Sequence, residues 1–271
     1  MSDFQLNQFT AIDAAPDQSL YIAALEAFDT VPELQELKVQ AMEIASIGSS
    51  GRILDVGCGF GLETLRLARS AVPDGHVAGI DKSAAFIEEA NIRAKKAGLD
   101  IDFRPGVAEQ LPFDDSSFDY VRAERIICYL EDPEAAVKEM ARVARPGGHL
   151  AFIEPDFTSN NINLPDRALV KRTLDFEARS AVATNWMPGR LYSIVKRLKL
   201  NNIRSFTRLL VFPDDLAAGY FSMIGNNALK ADEINETECA TWQEGIEELR
   251  ASGELFASIG YVLLTAELPE T

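Results

Sequence analysis

The sequence ILDVGCGFG, residues 53–61, indicates the fold class of the chain. The run Arg52–Val56 (RILDV) predicts a buried strand, and the three glycines of GCGFG follow it directly. Because glycine has no Cβ, this turn can take left-handed backbone conformations and let a ligand approach the main chain. A helical pattern begins at Leu62. The stretch is therefore a strand–turn–helix unit, the usual start of a parallel α/β sheet.

Strand-like and helical runs alternate on both sides of this unit, which predicts an α/β fold with a doubly wound, mostly parallel, seven-stranded sheet. Helices are expected after Leu62, after the N-cap Ser83, over Pro133–Ala144 and over Arg190–Leu198. The predicted strands are Arg52–Val56, His76–Asp81, Ile101–Arg104, Phe118–Arg122, Leu150–Glu154, Ile203–Phe212 and Tyr261–Glu267.

Two segments interrupt the alternation, and we expect both to form a helical lid on a single domain spanning 1–271. The first, 156–187, has one helical pattern, and the second, 213–256, has two or three. Residues 1–45 are expected to form an N-terminal helical cap. Apolar residues recur at every fourth position of the first segment, at Val170, Leu174, Ala178 and Val182.

Composition excludes several functions. A net charge of −16 argues against binding to nucleic acid or to an anionic membrane, because those partners need a basic face. No apolar run approaches the roughly 18 residues of a membrane span, and the N-terminus does not resemble a signal peptide. Three widely spaced cysteines do not suggest disulfides. We therefore expect a cytoplasmic protein.

The chain has only two histidines, His76 and His149, and neither lies near another potential metal ligand in the sequence. No metal site is therefore expected. The sequence also has no Gly-x-Ser-x-Gly elbow and no phosphate-binding loop with Gly-Lys-Ser/Thr. The missing elbow argues against a hydrolase that uses such a serine, and the missing loop argues against nucleoside-triphosphate binding by such a loop.

Two acids flank the glycine turn. Asp81 ends the second predicted strand, where a carboxylate can accept hydrogen bonds from both hydroxyls of a ribose. Asp55 precedes the first glycine by two residues, and its charge disfavours a pyrophosphate but suits a cationic amino group. Leu62 stands where the dinucleotide fingerprint has its third glycine, which argues against a nicotinamide dehydrogenase.

Four motifs in order, ILDVGCGFG (53–61), GIDKS (79–83), AEQLPFDDSSFDYV (108–121) and RPGGHLAFIEPD (145–156), resemble the class I S-adenosylmethionine-dependent methyltransferases. The resemblance is greatest to the small-molecule group known as type 11. It covers residues 30–155 well and 188–212 loosely, and it implies a Rossmann-like methyltransferase fold. It also implies S-adenosylmethionine as cofactor, S-adenosylhomocysteine as product and a small-molecule acceptor.

The same resemblance implies roles for individual residues. Asp55 would hold the methionine amino group, Asp81 the ribose, and Arg122 to Arg125 would line the methionyl end. The family usually has an aspartate at position 107, and Val107 cannot accept a hydrogen bond from the adenine amino group. Either backbone groups or Glu109 replace that acceptor, or cofactor affinity is reduced. The remaining implied cofactor contacts are Gly57, Gly59 and Gly61 in the turn, Lys82 at the adenine face, and Ala108 and Glu109 at the adenine edge.

Candidates for acceptor chemistry lie at the carboxyl ends of strands. Glu154 and Asp156 end the fifth strand and could act as a base or make only a strand-end hydrogen bond; Arg125 follows the fourth strand. Oxygen, nitrogen and carbon acceptors all stay open, with nitrogen or carbon slightly favoured because neither histidine is well placed. The candidate acceptor-binding residues are Tyr21, Tyr129, Trp186, Arg190 and Tyr220.

A basic stretch runs from Arg167 to Arg208, with ten basic and two acidic residues, a local charge of +8. We favour solvated helix faces as the explanation. The alternative is that Arg167, Lys171 and Arg190 attract an anionic acceptor.

Two other functions are compatible with the sequence: a rearrangement catalysed beside the bound sulfonium without methyl transfer, and an inactive regulatory or scaffold subunit. The oligomeric state is open between monomer and homodimer.

Overall fold

The fold is built around one β-sheet. A computed structural model describes residues 12–14, 18–70, 72, 74–182 and 187–270 of the chain. The strands of the sheet are β1 Arg52–Val56, β2 His76–Asp81, β3 Asp102–Pro105, β4 Phe118–Glu124, β5 Ala144–Ile162, β6 Asn201–Val211 and β7 Ala257–Glu267. They lie in the order β3-β2-β1-β4-β5-β7-β6, which confirms the predicted seven-stranded sheet.

Strands β1 to β5 run parallel, whereas β7 is antiparallel to both β5 and β6. The mostly parallel sheet is thus confirmed. Because β1 lies between β2 and β4, the chain changes direction across the sheet after β3. Such a reversal leaves a crevice outside the carboxyl ends of the two central strands, where ligands bind in open α/β sheets.

Helices cover the sheet where the apolar pattern predicts them. Ser83 caps the fourth helix by accepting a hydrogen bond from the Phe86 N–H at 3.1 Å, and Gly98 ends that helix with a φ of 68°. Its buried residues are Phe86, Ile87, Ala90 and Ala94, which recur at helical spacing on one face. The helices are α1 Ser19–Asp29, α2 Pro32–Ala45, α3 Leu62–Ser70, α4 Ala84–Ala97, α5 Pro133–Val143, α6 Arg167–Ser180, α7 Met187–Arg197, α8 Asp214–Lys230 and α9 Glu236–Ser252.

Strand β5 is much longer than its predicted core, Leu150–Glu154, because it continues along β7 as far as the pair Ile162 and Ala257. An irregularity in the pairing after Asp156 bends the strand. The expected boundary of the first insertion at residue 156 is therefore wrong, and the helical part begins only after Ile162. Val182 also lies beyond the end of α6, although it is buried.

The second insertion contains two helices, α8 and α9, where the sequence predicted two or three helices. Trp242 of α9 is fully buried, and its indole N–H donates to the Phe221 carbonyl of α8 at 2.8 Å. Gly225 is required there, because a Cβ at this position would lie 2.4 Å from Trp242 Cδ1. The pair α8–α9 is thereby fixed as one unit, and α6 packs against α8.

The predicted N-terminal cap is helical from Ser19 to Ala45, as α1 and α2, while residues 1–11 and 15–17 lie outside the described part. Helix α2 packs against strands β5, β6 and β7. Within the described ranges no helix has both the length and the apolar character needed to cross a membrane.

We predict that Gly61→Ala destabilises the protein more than Gly98→Ala. Both glycines have positive φ, 81° and 68°, but a Cβ at Gly61 would lie 2.8 Å from Phe103 Cζ, whereas nothing lies within 4 Å of one at Gly98. Left-handed backbone alone costs about 1–2 kcal/mol, and overpacking adds about 1–3 kcal/mol. Urea unfolding measures both losses, and equal losses would contradict the packing role of Gly61.

Candidate active site

A cavity of about 690 Å³ opens at the carboxyl ends of the central strands, as the sheet order requires. One side, the glycine-turn half, is lined by residues 55–60, Asp81, Lys82 and 106–109. The other side, the aromatic half, is lined by Phe28, Tyr129, Phe157, Tyr220 and Tyr261. Charged residues from the end of β4 lie between the two halves.

The glycines of the turn serve different purposes. Gly57 and Gly59 line the cavity with φ of 73° and 54°, so the turn bends back toward the ligand space. A Cβ at Gly59 would meet only Phe86, at 3.9 Å, and this open space is suited to close approach by a ligand. Gly61 lies outside the lining and packs against Phe103, which corrects its expected role in leaving room for the ligand.

Asp81 borders the cavity at the end of β2, and it also holds the turn together. One carboxylate oxygen accepts from the Gly59 N–H and the other from the Ser83 N–H, both at 2.9 Å. Burial nevertheless raises the pKa of Asp81. The fixed carboxylate can accept further hydrogen bonds from the cavity, as the assigned ribose contact requires.

The loop after β3 and the residue after β2 complete this half of the cavity. Lys82, Val107, Ala108 and Glu109 all line it, so the structure brings the expected adenine-side residues together. The Val107 side chain is 47% exposed, and its carbonyl accepts from the Gln110 N–H at 3.2 Å. No side-chain acceptor stands at position 107, as the sequence predicts.

Asp55 and Arg122 both line the cavity and form a buried ion pair, with Arg122 Nη1 donating to Asp55 Oδ1 at 3.0 Å. Thr64 donates to the other Asp55 oxygen at 2.7 Å. Arg122 also bonds Glu124 at 2.7 Å. Both residues, for which the resemblance implies a place at the methionyl end, thus line the cavity, and each is oriented by partners that the sequence did not reveal.

An ion-pair network that is buried except at Arg66, whose side chain is 40% exposed, extends from this pair to the N-terminal cap. Its hub is Lys38 of α2, whose ammonium lies 2.6 Å from Asp29, 3.2 Å from Glu63 and 3.2 Å from Glu124. Burial alone would raise the pKa of Glu124, but Lys38, Arg125 and Arg122 outweigh it and hold that pKa well below its usual range. The network comprises Asp29, Lys38, Asp55, Glu63, Arg66, Arg122, Glu124 and Arg125.

Lys38, Glu63 and Glu124 line the cavity but were not among the predicted site residues. A sequence signal for Lys38 exists. It lies on the buried face of α2, where every other buried position is Leu34, Leu37, Ala41 or Ala45. A lysine on an apolar helix face needs a buried partner, which is a reason to look for one.

Arg125 stands where the two halves of the cavity meet. Its guanidinium is 3.1 Å from Glu124 and 6.0 Å from the ring centre of Phe28, and its φ is 56°. The Nε atom is buried and has no hydrogen-bond partner within the described residues. A buried donor without a partner beside a cavity is available to an anionic or polar ligand.

Glu154 is not a catalytic base, which corrects its expected role. It is fully buried and absent from the cavity lining. Its carboxylate accepts from the N–H groups of Ile126, Ile127 and Cys128 at 3.2, 3.0 and 3.2 Å. Burial still raises the pKa of Glu154 to about 7. The side chain thus makes the strand-end hydrogen bonds that were the alternative, and it holds the loop that carries Ile126 and Tyr129 into the cavity.

Asp156 is likewise misassigned as a catalytic residue, because its carboxylate accepts from the N–H and hydroxyl of Thr158 at 3.1 and 2.5 Å, outside the cavity lining. Its neighbours Pro155 and Phe157 line the cavity, and because side chains alternate along a strand, Asp156 between them faces the other side.

Only some of the predicted acceptor-binding residues line the cavity. Tyr129 and Tyr220 line the cavity. Tyr21 does not; it is buried in an apolar cluster with Ile12, Phe60 and Phe86, of which Phe60 and Phe86 border the cavity. Arg190 is exposed on α7, which packs against α5, β5 and β7, and it is also outside the lining. Trp186 lies outside the described residues.

The basic stretch is largely neutralised by acids on other elements, which supports solvated faces rather than an anion-attracting surface. Arg167 donates to the Ile162 carbonyl, Lys171 pairs with Asp175, and neither lines the cavity. Four further ion pairs of the stretch join Arg172 to Glu238, Arg179 to Glu233, Arg197 to Glu134 and Arg208 to Glu36.

The described residues give no support for a metal site or for a reactive thiol. Across the described ranges, no group of three or more His, Cys, Asp and Glu side chains is arranged to hold a metal ion. His149 lies 3.8 Å from Glu267 on the far part of β5, away from the cavity. Cys58 lines the cavity, but burial raises its pKa well above the usual value, so it is a packing residue rather than a thiolate nucleophile.

Comparisons with known proteins agree with this geometry. A family model described as a methyltransferase domain matches residues 54–152. The 27-O-demethylrifamycin SV methyltransferase of Amycolatopsis mediterranei is 30% identical over 230 residues, which cover 81% of this chain and 78% of that protein. The chain belongs to the class I S-adenosylmethionine-dependent methyltransferases.

Two further similarities extend this finding. The ubiquinone biosynthesis O-methyltransferase of Maricaulis maris is 33% identical to this methyltransferase over 162 residues, 58% of this chain and 57% of that protein. The crystal structure of the YcgJ protein from Bacillus subtilis matches its fold with a TM-score of 0.61 at 20% identity, covering 88% of this chain and 99% of that one.

The residues present fit the family's cofactor, S-adenosylmethionine. The open space at Gly59 and the fixed carboxylate of Asp81 match a nucleoside, and the charged end of β4 matches a zwitterionic amino acid. The methyltransferase differs from the usual family pattern at Val107 alone among the expected cofactor contacts that line the cavity.

We predict that Glu154→Gln destabilises the protein, because a glutamine would direct amide protons at the Cys128 N–H. Losing one hydrogen bond of a buried carboxylate costs about 1–3 kcal/mol. Asp156→Asn is the matched control at the same strand end, where the side chain contacts only its own turn. Urea unfolding measures both, and an unchanged midpoint for Glu154→Gln would show that its carboxylate does not hold the loop.

We predict that Val107→Asp increases the affinity for S-adenosylhomocysteine about fivefold, the effect of one additional hydrogen bond of about 1 kcal/mol. The control ligand is S-inosylhomocysteine, which has no adenine amino group and should gain nothing. Calorimetric titration compares the two ligands. An equal gain for both would mean that the new carboxylate acts through charge rather than through the amino group.

Proposed function

We propose that this methyltransferase transfers the methyl group of S-adenosylmethionine to an acidic hydroxyl, a phenol or an enol, on a small and largely apolar molecule. The observation that carries the proposal is Arg125. Its side chain is 18% exposed and lines the cavity at the junction of the glycine-turn half and the aromatic half, and its buried Nε has no hydrogen-bond partner among the described residues. Of the acceptor atoms left open, oxygen is also supported by the relatives named as O-methyltransferases.

The aromatic half accounts for the apolar body of the acceptor. Phe28 and Tyr220 pack edge to face with ring centres 5.9 Å apart, and Tyr129, Phe157 and Tyr261 complete the lining. Aromatic walls of this kind bind flat, apolar molecules and exclude water. Residues 180–182 of the first insertion and Tyr220 of the second also line the cavity, which supports assigning the acceptor pocket to the two insertions.

The cofactor contacts are part of the same proposal. Gly57, Gly59 and Asp81 would hold the nucleoside ribose, with Lys82, Ala108 and Glu109 around the adenine. Lys38, Arg122 and the acids of the ion-pair network would hold the methionine moiety at its charged groups. When bound, S-adenosylmethionine supplies a methyl group that is already activated toward a nucleophile.

The chemistry left to the chain is to orient and to ionise the acceptor. Arg125 would lower the pKa of a hydroxyl held near it, so that oxygen is the nucleophile without a histidine base. Exclusion of water by the aromatic rings strengthens that electrostatic effect, and alignment in a closed cavity supplies much of the acceleration. This assigns Arg125 to catalysis, with Tyr129 and Tyr220 as acceptor contacts. A cytoplasmic location and a monomeric or dimeric state stay predictions.

The test combines binding and turnover. We expect S-adenosylhomocysteine to bind wild-type protein and the Asp81→Ala variant to bind it about 100-fold more weakly, because two charge-assisted hydrogen bonds are lost. Asp102→Ala, at an exposed ion pair with Arg104 on the next strand, is the matched control and should change affinity by less than about threefold. Calorimetric titration measures all three proteins.

Turnover is then measured as S-adenosylhomocysteine formed with a panel of phenols and enols, for wild-type protein and Arg125→Met. The expected loss in the variant is about 100-fold or more in kcat, the effect of one preorganised donor. Turnover of amines but not phenols would overturn the oxygen acceptor. Acceptor conversion without any S-adenosylhomocysteine would instead support a rearrangement, and loss of cofactor binding in wild type would support the scaffold alternative.

A further inference from the structure

Tyr261 lines the cavity but was not among the candidate acceptor-binding residues. It belongs to β7, where it pairs with Pro155 of β5, and it is only 3% exposed. Ile259, two residues earlier on the same face of the strand, also lines the cavity. The side chain of Tyr261 therefore extends from the sheet into the aromatic half.

The hydroxyl of Tyr261 is a hydrogen-bonding group that the fold does not use. Among the described residues it has no hydrogen-bond partner, whereas the Tyr220 hydroxyl accepts from the Asn160 amide at 3.3 Å. The unpaired hydroxyl of Tyr120 on β4 is enclosed by protein, but Tyr261 borders the cavity. A buried tyrosine hydroxyl usually has a partner, so the partner of Tyr261 is expected from a ligand in the cavity.

Arg125 and Tyr261 lie on either side of the same strand. The Arg125 N–H donates to the Ile153 carbonyl of β5 at 2.9 Å, and Tyr261 is paired with Pro155 at the other edge of β5. Both side chains line the cavity. Neighbouring strands lie about 4.8 Å apart, so an arginine and a tyrosine on either side of β5 can both reach a group placed between them.

The electrostatics agree with this proximity. Burial raises the pKa of Tyr261, and the Arg125 guanidinium opposes that rise. The pKa stays above its usual value, so Tyr261 keeps its proton at neutral pH and is a hydrogen-bond donor rather than a base. The other titratable side chains that are coupled to Tyr261 are Glu124, Cys128, Tyr129, Glu154 and Tyr220.

We propose that Tyr261 is a second catalytic donor, whose hydroxyl donates a hydrogen bond to the acceptor oxygen that receives the methyl group. The inference rests on the proposed function and adds a residue to it, since Arg125 supplies the charge and Tyr261 a neutral donor from the other side of β5. Two donors from different directions orient the ionised oxygen and leave one of its lone pairs for the methyl group. Tyr261 keeps its own proton: the acceptor proton leaves to solvent, the oxygen bonds the methyl carbon, and the electron pair of the broken carbon–sulfur bond stays on sulfur.

The first experiment compares turnover of wild-type protein and Tyr261→Phe, a variant that lacks only the hydroxyl. The acceptor is the phenol or enol that wild-type protein methylates fastest. We expect kcat, measured as S-adenosylhomocysteine formed, to fall about tenfold or more, the effect of one hydrogen bond to a charged group. Tyr192→Phe, the same change at an exposed tyrosine of α7 outside the cavity lining, is the matched control and should change kcat by less than about twofold.

The second experiment measures the ionisation of a bound probe. 4-Nitrophenol absorbs visible light mainly when it is ionised, so its absorbance in protein saturated with S-adenosylhomocysteine gives the pKa of the bound probe. We expect that pKa to be about one unit higher in Tyr261→Phe than in wild-type protein, which is the same tenfold effect. 4-Nitroanisole, which has no ionisable oxygen, is the shape control, and its affinity by calorimetric titration should be equal in the two proteins.

Thermal unfolding separates a catalytic hydroxyl from a structural one. A hydroxyl without a partner in the free protein adds no hydrogen bond to its stability. The Tm of Tyr261→Phe should therefore stay within a few degrees of the wild-type value.

An unchanged kcat in Tyr261→Phe would overturn the role of Tyr261, as would an unchanged pKa of the bound probe or no binding of 4-nitrophenol by wild-type protein. A fall in Tm with equal losses of affinity for the two nitro compounds would also overturn it, because the hydroxyl would then be structural. The proposed function fails by a different result, namely that wild-type protein forms no S-adenosylhomocysteine from any phenol or enol. The two failures are distinguishable because the role of Tyr261 is tested while that activity is present.

Discussion

The arrangement of the whole site depends on the pairing of Lys38 with three carboxylates. A lysine whose side chain is only 4% exposed needs compensation for the water it has lost, and Asp29, Glu63 and Glu124 provide it from three different elements. Removing any partner would leave a buried charge uncompensated, which typically costs about 3–5 kcal/mol. Helices α1, α2 and α3 and the end of β4 are therefore held in one relative position before any ligand binds.

This constraint explains how the two halves of the cavity differ. The glycine-turn half is built from strand ends and from charges that orient one another, and such a preorganised surface suits a ligand with fixed polar groups. The aromatic half is contributed by α1, by the segment between β4 and α5, by β5 beyond Pro155, by β7 and by the inserted helices, whose contacts are mainly apolar. Variation in the inserted helices can change the acceptor while the cofactor contacts stay the same, as expected where function resides in sites built on a common fold.

Local patterns were sufficient for the sheet, because strands, glycine turn and capped helices each have a signal within a few residues. They were not sufficient where distant residues decide the outcome. The extension of β5 depends on pairing with β7, about a hundred positions later in the chain. Glu154 was ambiguous for the same reason, since its three N–H partners lie on a loop before α5. The ion pairs of Lys38 and the exposed position of Arg190 are equally nonlocal.

Arg125 shows how contacts with distant residues hold one functional side chain in place. Its left-handed backbone, with φ of 56°, costs about 1–3 kcal/mol for a residue with a side chain. The conformation is maintained because its N–H donates to the Ile153 carbonyl at 2.9 Å and its guanidinium pairs with Glu124 at 3.1 Å. Glu124 is in turn fixed by Lys38 and Arg122. The same network that anchors the N-terminal cap therefore holds a cation at the junction of the two halves, where the charge of an ionised hydroxyl would lie.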